Sequence, residues 1–329
     1  MKTLTGVIPF TLCNKLIKEE HRTVSEDGRE ASPVLVTGAR GFIGRAVVKL
    51  LQCEGYGVLG LDRTHSAESV GGQIAMDITD GEQLRKLFQG RAIAGIIHLA
   101  AILPTAAQRD PVRATEVNVR GGLNLLEMAR QFGVRRVVFG SSLSVYGTCP
   151  ADRVVSEVDR AAPEDLYGAA KVYVEQLGAA YRERYGVEFV SLRIGRVVGP
   201  GAQSATSAWR SEIFELLSST SAANIALPYV ASERILLVHV QDVAKMLIRL
   251  LQAPELRHSV YNACCESVVV GDLKQHVEEL NPNLQVTPGD AAAVGNPRMI
   301  DCSRFSGEFS FGMPSIFEQL QATARGDAP

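Results

Sequence analysis

No run of apolar residues in this chain reaches the ~18 to 20 needed to span a membrane. The net charge is −2, with the two signs mixed along the sequence. Without a basic stripe, nucleic acid binding has no electrostatic footing. Six cysteines are scattered (Cys13, Cys53, Cys149, Cys264, Cys265, Cys302), and none forms a Cys-x-x-Cys pair. This distribution predicts reduced thiols in a cytoplasmic protein, with neither a disulfide frame nor a metal site. The adjacent Cys264-Cys265 reads as core packing. Internal repeats and low-complexity tracts are also missing. What the chain does have is length and apolar content: 329 residues, 46% of them hydrophobic, enough for a full core.

The most informative stretch is PVLVTGARGFIG, Pro33 to Gly44. Val34-Leu35-Val36 is apolar without alternation, as in a strand buried on both faces. Thr37-Gly38-Ala39-Arg40-Gly41 is a turn of mostly small residues, and from Phe42 to Leu51 the apolar spacing becomes helical. A strand passing through glycines into a helix start cradles a pyrophosphate, because bare backbone N–H groups and the positive end of the helix dipole face the anion. Asp62 closes the second strand, 18 residues beyond Gly44, where a carboxylate accepts hydrogen bonds from an adenosine ribose. An unpaired Asp62 repels a 2′-phosphate and favours NAD, while Arg63 beside it can accommodate one and leaves NADP open.

From Pro33 the pattern alternates. Strands are predicted at Val58–Leu61, Gln73–Met76, Gly95–Ala101, Arg136–Ser142 and Val187–Leu192, and helices at Gly81–Phe88, Pro111–Gln131 and Glu164–Tyr185. Strict βα alternation implies an α/β fold with a Rossmann-type doubly wound parallel sheet. Residues 1–31 read as an N-terminal extension and 32–200 as the dinucleotide-binding domain. Residues 201–329, more irregular, read as a small C-terminal substrate-binding lobe over the carboxyl edge of the sheet.

Tyr167 and Lys171 stand four apart on a predicted helix, so they share a face. A phenol with an ordinary pKa of about 10 is a poor base at neutral pH. A flanking ammonium and the positive nicotinamide ring of an oxidised cofactor are expected to lower it, letting the phenolate exchange a proton with a secondary alcohol. Ser142, at the end of a predicted strand, is placed to polarise the same oxygen. Lys171 can also hold the cofactor ribose.

With these residues the chain resembles the extended short-chain dehydrogenases/reductases, the NAD-dependent epimerase/dehydratase family. The resemblance rests on Gly38-x-x-Gly41-Phe42-Ile43-Gly44, Asp62, Asp77, His98-Leu99-Ala100-Ala101, Asn118-x-x-Gly121, Ser142-x-x-x-Tyr146-Gly147 and Tyr167-x-x-x-Lys171, and covers about residues 33–200. It implies that Asp77 and Ile78 flank the adenine, that Leu99, Ala100 and Ala101 line the path to the nicotinamide, and that Asn118 lies close to the cofactor. It also implies a homodimer in which the helices near 111–131 and 164–185 pair into a four-helix bundle.

Departures from the family pattern narrow the reaction. Sugar-nucleotide 4,6-dehydratases carry Thr-Asp-Glu where this chain has Ser142-Leu143-Ser144, which argues against that activity. Epimerases read Leu-Arg-Tyr-Phe-Asn after the sixth strand; here Leu192-Arg193-Ile194-Gly195-Arg196 puts Arg196 at the Asn position, either as a grip on a phosphate or carboxylate or as a surface residue. Arg234 falls one residue early against the epimerase Arg-Asp-Tyr-Ile-His, which turns it to the other face of a strand unless a bulge intervenes. His239, near a helix start, reads as structural. Ser144, Arg196 and Arg234 are the substrate candidates. The reading these residues favour is a sugar or nucleotide-sugar epimerase working through Ser142, Tyr167 and Lys171. One alternative is an NAD(P)-dependent dehydrogenase or reductase of a sugar acid or small ketone, and another a non-catalytic cofactor-binding scaffold or sensor.

Overall fold

The computed structural model describes residues 32–63, 72–202 and 207–327, so the extension 1–31 lies outside the described residues. In chain order the first half forms β1 (Val34–Thr37), α1 (Phe42–Cys53), β2 (Val58–Asp62), β3 (Gln73–Ala75), α2 (Gly81–Phe88), β4 (Gly95–His98), α3 (Pro104–Arg109), α4 (Pro111–Thr115), α5 (Gly121–Phe132), β5 (Arg136–Ser142), β6 (Val154–Val155), α6 (Leu166–Tyr185) and β7 (Glu188–Ile194). A π-helical turn, Glu116–Arg120, joins α4 to α5, and a 3₁₀ turn, Leu143–Tyr146, follows β5.

With β11 (Val260–Asn262) from the second half, seven strands form one parallel sheet in the order β11-β7-β5-β4-β1-β2-β3. Side chains alternate across it, and both faces are apolar. Val34, Val36, Val138 and Val190 point to one side, where α1 packs through Val47 and Leu51. Leu35, Val137, Phe139 and Phe189 point to the other, against Leu84 and Phe88 of α2, Leu125 of α5 and Val174 of α6. This explains why the strand sequences read as unbroken apolar runs. The strand order reverses between β1 and β4, and in open α/β sheets the crevice at such a reversal is where ligands bind.

The second half holds β8 (Arg196–Val198), α7 (Trp209–Glu215), β9 (Ala223–Tyr229), β10 (Arg234–His239), α8 (Val240–Gln252), β11 (Val260–Asn262), β12 (Glu266–Val269), α9 (Val270–Leu280), β13 (Leu284–Ala291), β14 (Met299–Ile300), α10 (Ser303–Phe309) and α11 (Ile316–Ala324). Three small sheets, β12-β10-β8, β13-β9 and β14-β6, build the lobe around its own core of Trp209, Ile213, Phe214, Ile235, Leu273 and Leu320. The chain also crosses back at this point. α8 lays Val243, Met246, Leu247 and Leu250 on the main sheet, and β11 pairs with β7 at its edge.

Among the described residues Cys149, Cys264, Cys265 and Cys302 are free, and Cys264 is buried as packing requires. No described helix is long and apolar enough to cross a membrane.

Candidate active site

The glycine turn stands at the carboxyl end of β1. Gly38 has φ +67°, and a Cβ there would lie 2.7 Å from the Ala100 nitrogen; a Cβ on Gly44 would lie 2.0 Å from the Gly38 carbonyl oxygen. Both positions therefore require the missing side chain. The helices α2, α6, α8 and α11 are each capped by a side chain (Asp80, Asp165, His239 and Ser315). Helix α1 has no side-chain cap and no acidic residue in its first turn. The leading N–H groups, at Phe42 and Ile43, are thus left for an anion, and the cradle fits a dinucleotide pyrophosphate.

Asp62 lies beside this turn. Its carboxylate accepts from the Arg40 amide at 3.0 Å and the Arg63 amide at 2.8 Å. The Asp77 carboxylate is held by Thr79 and by an ion pair with Arg113, and these partners keep it below the ordinary carboxylate range against the opposing effect of burial. The Ile78 side chain is buried beneath Gly121 in the core. Neither side chain is therefore presented freely.

Leu99, Ala100 and Ala101 follow β4 into the crevice. The Thr37 hydroxyl accepts from the Leu99 and Ala100 amides at 3.2 and 3.3 Å and lies 2.7 Å from His98 Nδ1. Burial, aided by the Lys171 charge, holds His98 down to about 3, so the imidazole is neutral. Asn118, buried in the π-helical turn, grips Ile102 from both sides: Oδ1 accepts from the Ile102 amide at 2.7 Å and Nδ2 donates to its carbonyl at 2.9 Å. Its amide fixes the loop that follows β4, and π-helical turns recur at functional sites.

On α6 Lys171 is buried. It donates to the Gly140 carbonyl at 2.7 Å, and its Nζ lies 4.5 Å from the Phe139 ring centre and 5.2 Å from that of Tyr167. At the end of β5, Ser142 Oγ accepts from the Ser144 hydroxyl at 2.9 Å and the Ser144 amide at 3.2 Å. Ser144 is therefore committed to orienting Ser142. The electrostatics differ from the expectation that a flanking ammonium acidifies the phenol. Burial pushes Lys171 down to about 7, and it raises the Tyr167 phenol well above its ordinary range, with Asp165 adding to the rise. Burial in the crevice thus disfavours both charged forms.

Sequence reasoning missed the buried frame behind these groups. Arg193 donates to the Glu175 carboxylate through Nε at 3.1 Å and Nη2 at 2.6 Å, and through Nη1 to the Tyr146 hydroxyl at 2.7 Å. Ser141 donates to the same carboxylate at 2.6 Å, and the Tyr146 hydroxyl donates to Asn262 at 2.8 Å. A carboxylate one turn beyond Lys171 on the same face was the signal available for Glu175.

Of the remaining substrate candidates, Arg196 is buried and donates to the Tyr229 hydroxyl at 3.0 Å. Strand β10 keeps an unbroken register through Arg234↔Val269 and Ile235↔Val268. Hence no bulge turns Arg234 inward; it is exposed and donates to the Ser267 carbonyl. His239 caps α8 and packs on Phe214, the structural role expected of it.

Sheet order, glycine turn and crevice together define a dinucleotide-binding α/β protein of the Rossmann type. The model of the NAD dependent epimerase/dehydratase family matches residues 34–264, and the chain belongs to that family. NAD is the family's cofactor, and the cradle after β1 fits it. A UDP-glucuronate 4-epimerase of Thermodesulfobacterium geofontis is 33% identical over 193 residues, 54% of this chain and 59% of that protein. The match thus spans little more than half of that epimerase. A dTDP-4-dehydro-6-deoxy-D-allose reductase of a Streptomyces species is 31% identical over 314 residues, 89% of this chain and 95% of the relative. The UDP-glucose 4-epimerase of Thermus thermophilus, solved in complex with NAD, superposes with a TM-score of 0.76 at 27% identity, covering 89% of this chain and 98% of that one.

Proposed function

We propose that this protein is an enzyme that moves hydride between NAD and the carbinol carbon of a sugar-like substrate, with Tyr167 as acid–base group. The observation that carries the reading is the placement of Tyr167 and Lys171 on one face of α6, with Lys171 Nζ 5.2 Å from the phenol ring and anchored on Gly140, two residues before Ser142. NAD, when bound, accepts the hydride. Its positive ring would also favour the Tyr167 phenolate. Tyr167 takes the hydroxyl proton as the carbon is oxidised and returns it in the reverse direction. Ser142, its hydroxyl oriented by Ser144, donates to the substrate oxygen. Lys171 holds the ribose and, when protonated, favours the phenolate.

Net oxidation or reduction with release of the product is the reading we favour. The outward-facing Arg234 supports it, because the epimerase arginine expected to bind a diphosphate is displaced; so does the Streptomyces reductase, which matches along nearly its whole length. Epimerisation is the second reading, supported by the family motifs of the first 200 residues. Incubation with NAD and candidate sugars separates them: NADH accumulates steadily for a dehydrogenase, whereas an epimerase yields isomerised product without accumulation. If neither appears with any sugar, sugar acid or small hydroxy acid, the enzymatic reading fails.

Glu175 bears on this chemistry through Lys171, whose pKa its charge raises against the lowering by burial. Glu175→Gln is expected to lower that pKa further. Lys171 then loses its proton at lower pH, and the high-pH limb of the kcat profile moves toward acid. Glu175→Asp restores it in part. A profile unmoved in Glu175→Gln rejects the coupling.

The homodimer belongs to the same proposal. Val112 at the start of α4 (73% exposed) and Leu166, Tyr173 and Tyr185 along α6 (51%, 55% and 44%) leave apolar surface on the helices assigned to the bundle. Sedimentation velocity at micromolar concentration is expected to give a dimer, and a monomer overturns this arrangement.

A further inference from the structure

Beyond the crevice, two arginines and a tyrosine of the lobe meet where none of the ion pairs among the described residues reaches. Arg196 opens β8 and is 8% exposed. Its Nε donates to the Tyr229 hydroxyl, and its guanidinium carbon lies 5.3 Å from the Tyr229 ring centre. Arg210, from α7, is half-buried and lies against the ring of Trp209 at 5.7 Å. Its Nε is buried and has no hydrogen-bond partner among the described residues. Electrostatically, Tyr229 favours the Arg210 charge and Arg196 opposes it, with burial opposing it most. Trp209 and Tyr229 complete the wall at 6.4 Å, edge to face.

Burying two like charges without a counter-ion opposes folding. Such an arrangement persists where a site needs it. The phenol oxygen is an uncharged acceptor of the Arg196 guanidinium, a position in which an anionic oxygen is held more strongly. The cluster is also near the reacting edge. Ser142 pairs in register with Ile194, two residues before Arg196, and the intervening Gly195 packs against Leu143. Two strand residues span roughly 7 Å, so one small molecule reaches both places.

The geometry points to Arg196, Arg210 and Tyr229 as an oxyanion-binding subsite that selects substrates carrying a carboxylate or a phosphate close to the oxidised carbinol. It deepens the hydride-transfer reading and rests on it for the position of the reacting carbon. The guanidinium forks supply bidentate donors to the anion, and the anion's charge offsets theirs. Neutral sugars leave the two cations unpaired and are discriminated against.

Trp209 is the single tryptophan of the chain and is 3% exposed, so its emission reports on this cluster alone. The test titrates the full-length protein, at constant ionic strength, with glucuronate, with UDP and with glucose. Glucuronate offers a carboxylate without phosphate, UDP a phosphate without carboxylate, and glucose neither. A saturable change with at least one of the anions and none with glucose is expected, and the responding arm identifies the source of the oxyanion. Arg196→Gln and Arg210→Gln each weaken that response at least about tenfold, which corresponds to about 1.4 kcal/mol. Arg210→Lys keeps the charge without the fork, folds as the wild type does and binds more weakly. Emission that ignores both anions, or variants that titrate like the wild type, overturn the subsite. The two readings fail separately. Silent emission with NADH still formed removes the anion subsite alone, whereas saturable emission with turnover unaffected by loss of the Tyr167 hydroxyl removes the catalytic roles alone.

Discussion

Tyr167→Phe is expected to reduce turnover by about 10²- to 10⁴-fold, the usual contribution of a positioned proton carrier, while NAD affinity stays within a few-fold of wild type. The substitution deletes one oxygen and keeps the ring that faces Lys171, so packing on α6 is retained. The ligand-free phenol is raised by burial, which makes the proton transfer depend on the bound cofactor. In the wild type, Tyr167 is therefore expected to titrate only in the NAD complex. The measurement is kcat by NADH absorbance beside NAD binding by calorimetry. Turnover within tenfold of wild type, with binding intact, removes Tyr167 from the role of acid and base.

Gly44→Ala is the second large effect. The new methyl carbon would lie 2.0 Å from the Gly38 carbonyl oxygen and 2.9 Å from the Ala39 Cα. Both are backbone atoms, so no side-chain rotation relieves the clash. Either α1 moves away from β1 or the turn opens, and in both cases the N–H groups of Phe42 and Ile43 leave the anion. Overpacking of this kind costs ~1 to 3 kcal/mol. We expect a lower Tm together with at least about a hundredfold loss in NAD affinity, read by thermal melting with and without saturating NAD. A variant that melts as wild type and keeps the full NAD-induced shift contradicts the close packing of helix and turn.

How much of this was legible depended on the period of the sequence. The parallel sheet could be read because Val34-Leu35-Val36 and Val137-Val138-Phe139 face apolar layers on both sides and leave no polar position to blur the pattern. Helix Gly81–Phe88 has its expected bounds. The stretch 111–131 was read as one helix, but Pro111–Thr115 and Gly121–Phe132 are joined by a π-helical turn. One extra residue per turn is invisible to a 3.6-residue template. In the lobe, α9 was missed although Val270, Leu273 and Val277 have helical spacing and are buried. Strand β9 is hidden by Pro228, although Ile225 and Leu227 alternate inward. The motif residues of the crevice were readable because each performs local backbone chemistry. Arg210 and Tyr229 were not, because their meeting depends on α7 and β9 converging across a loop, which no local period encodes.

The return of the chain to the main sheet after residue 240 has a consequence for how this molecule can be taken apart. Strand β11 seals the flank of β7, and its Asn262 grips both Tyr146 and the carbonyl of Asp301. Severing the polypeptide near residue 200 would not liberate a nucleotide-binding module. It would bare a row of unpaired amides and carbonyls on β7, the kind of surface that recruits foreign strands, and would strip α8 from the apolar layer it covers. Grafting a relative's specificity onto this scaffold is for the same reason a matter of exchanging loops within the lobe, because the lobe and the sheet share a strand.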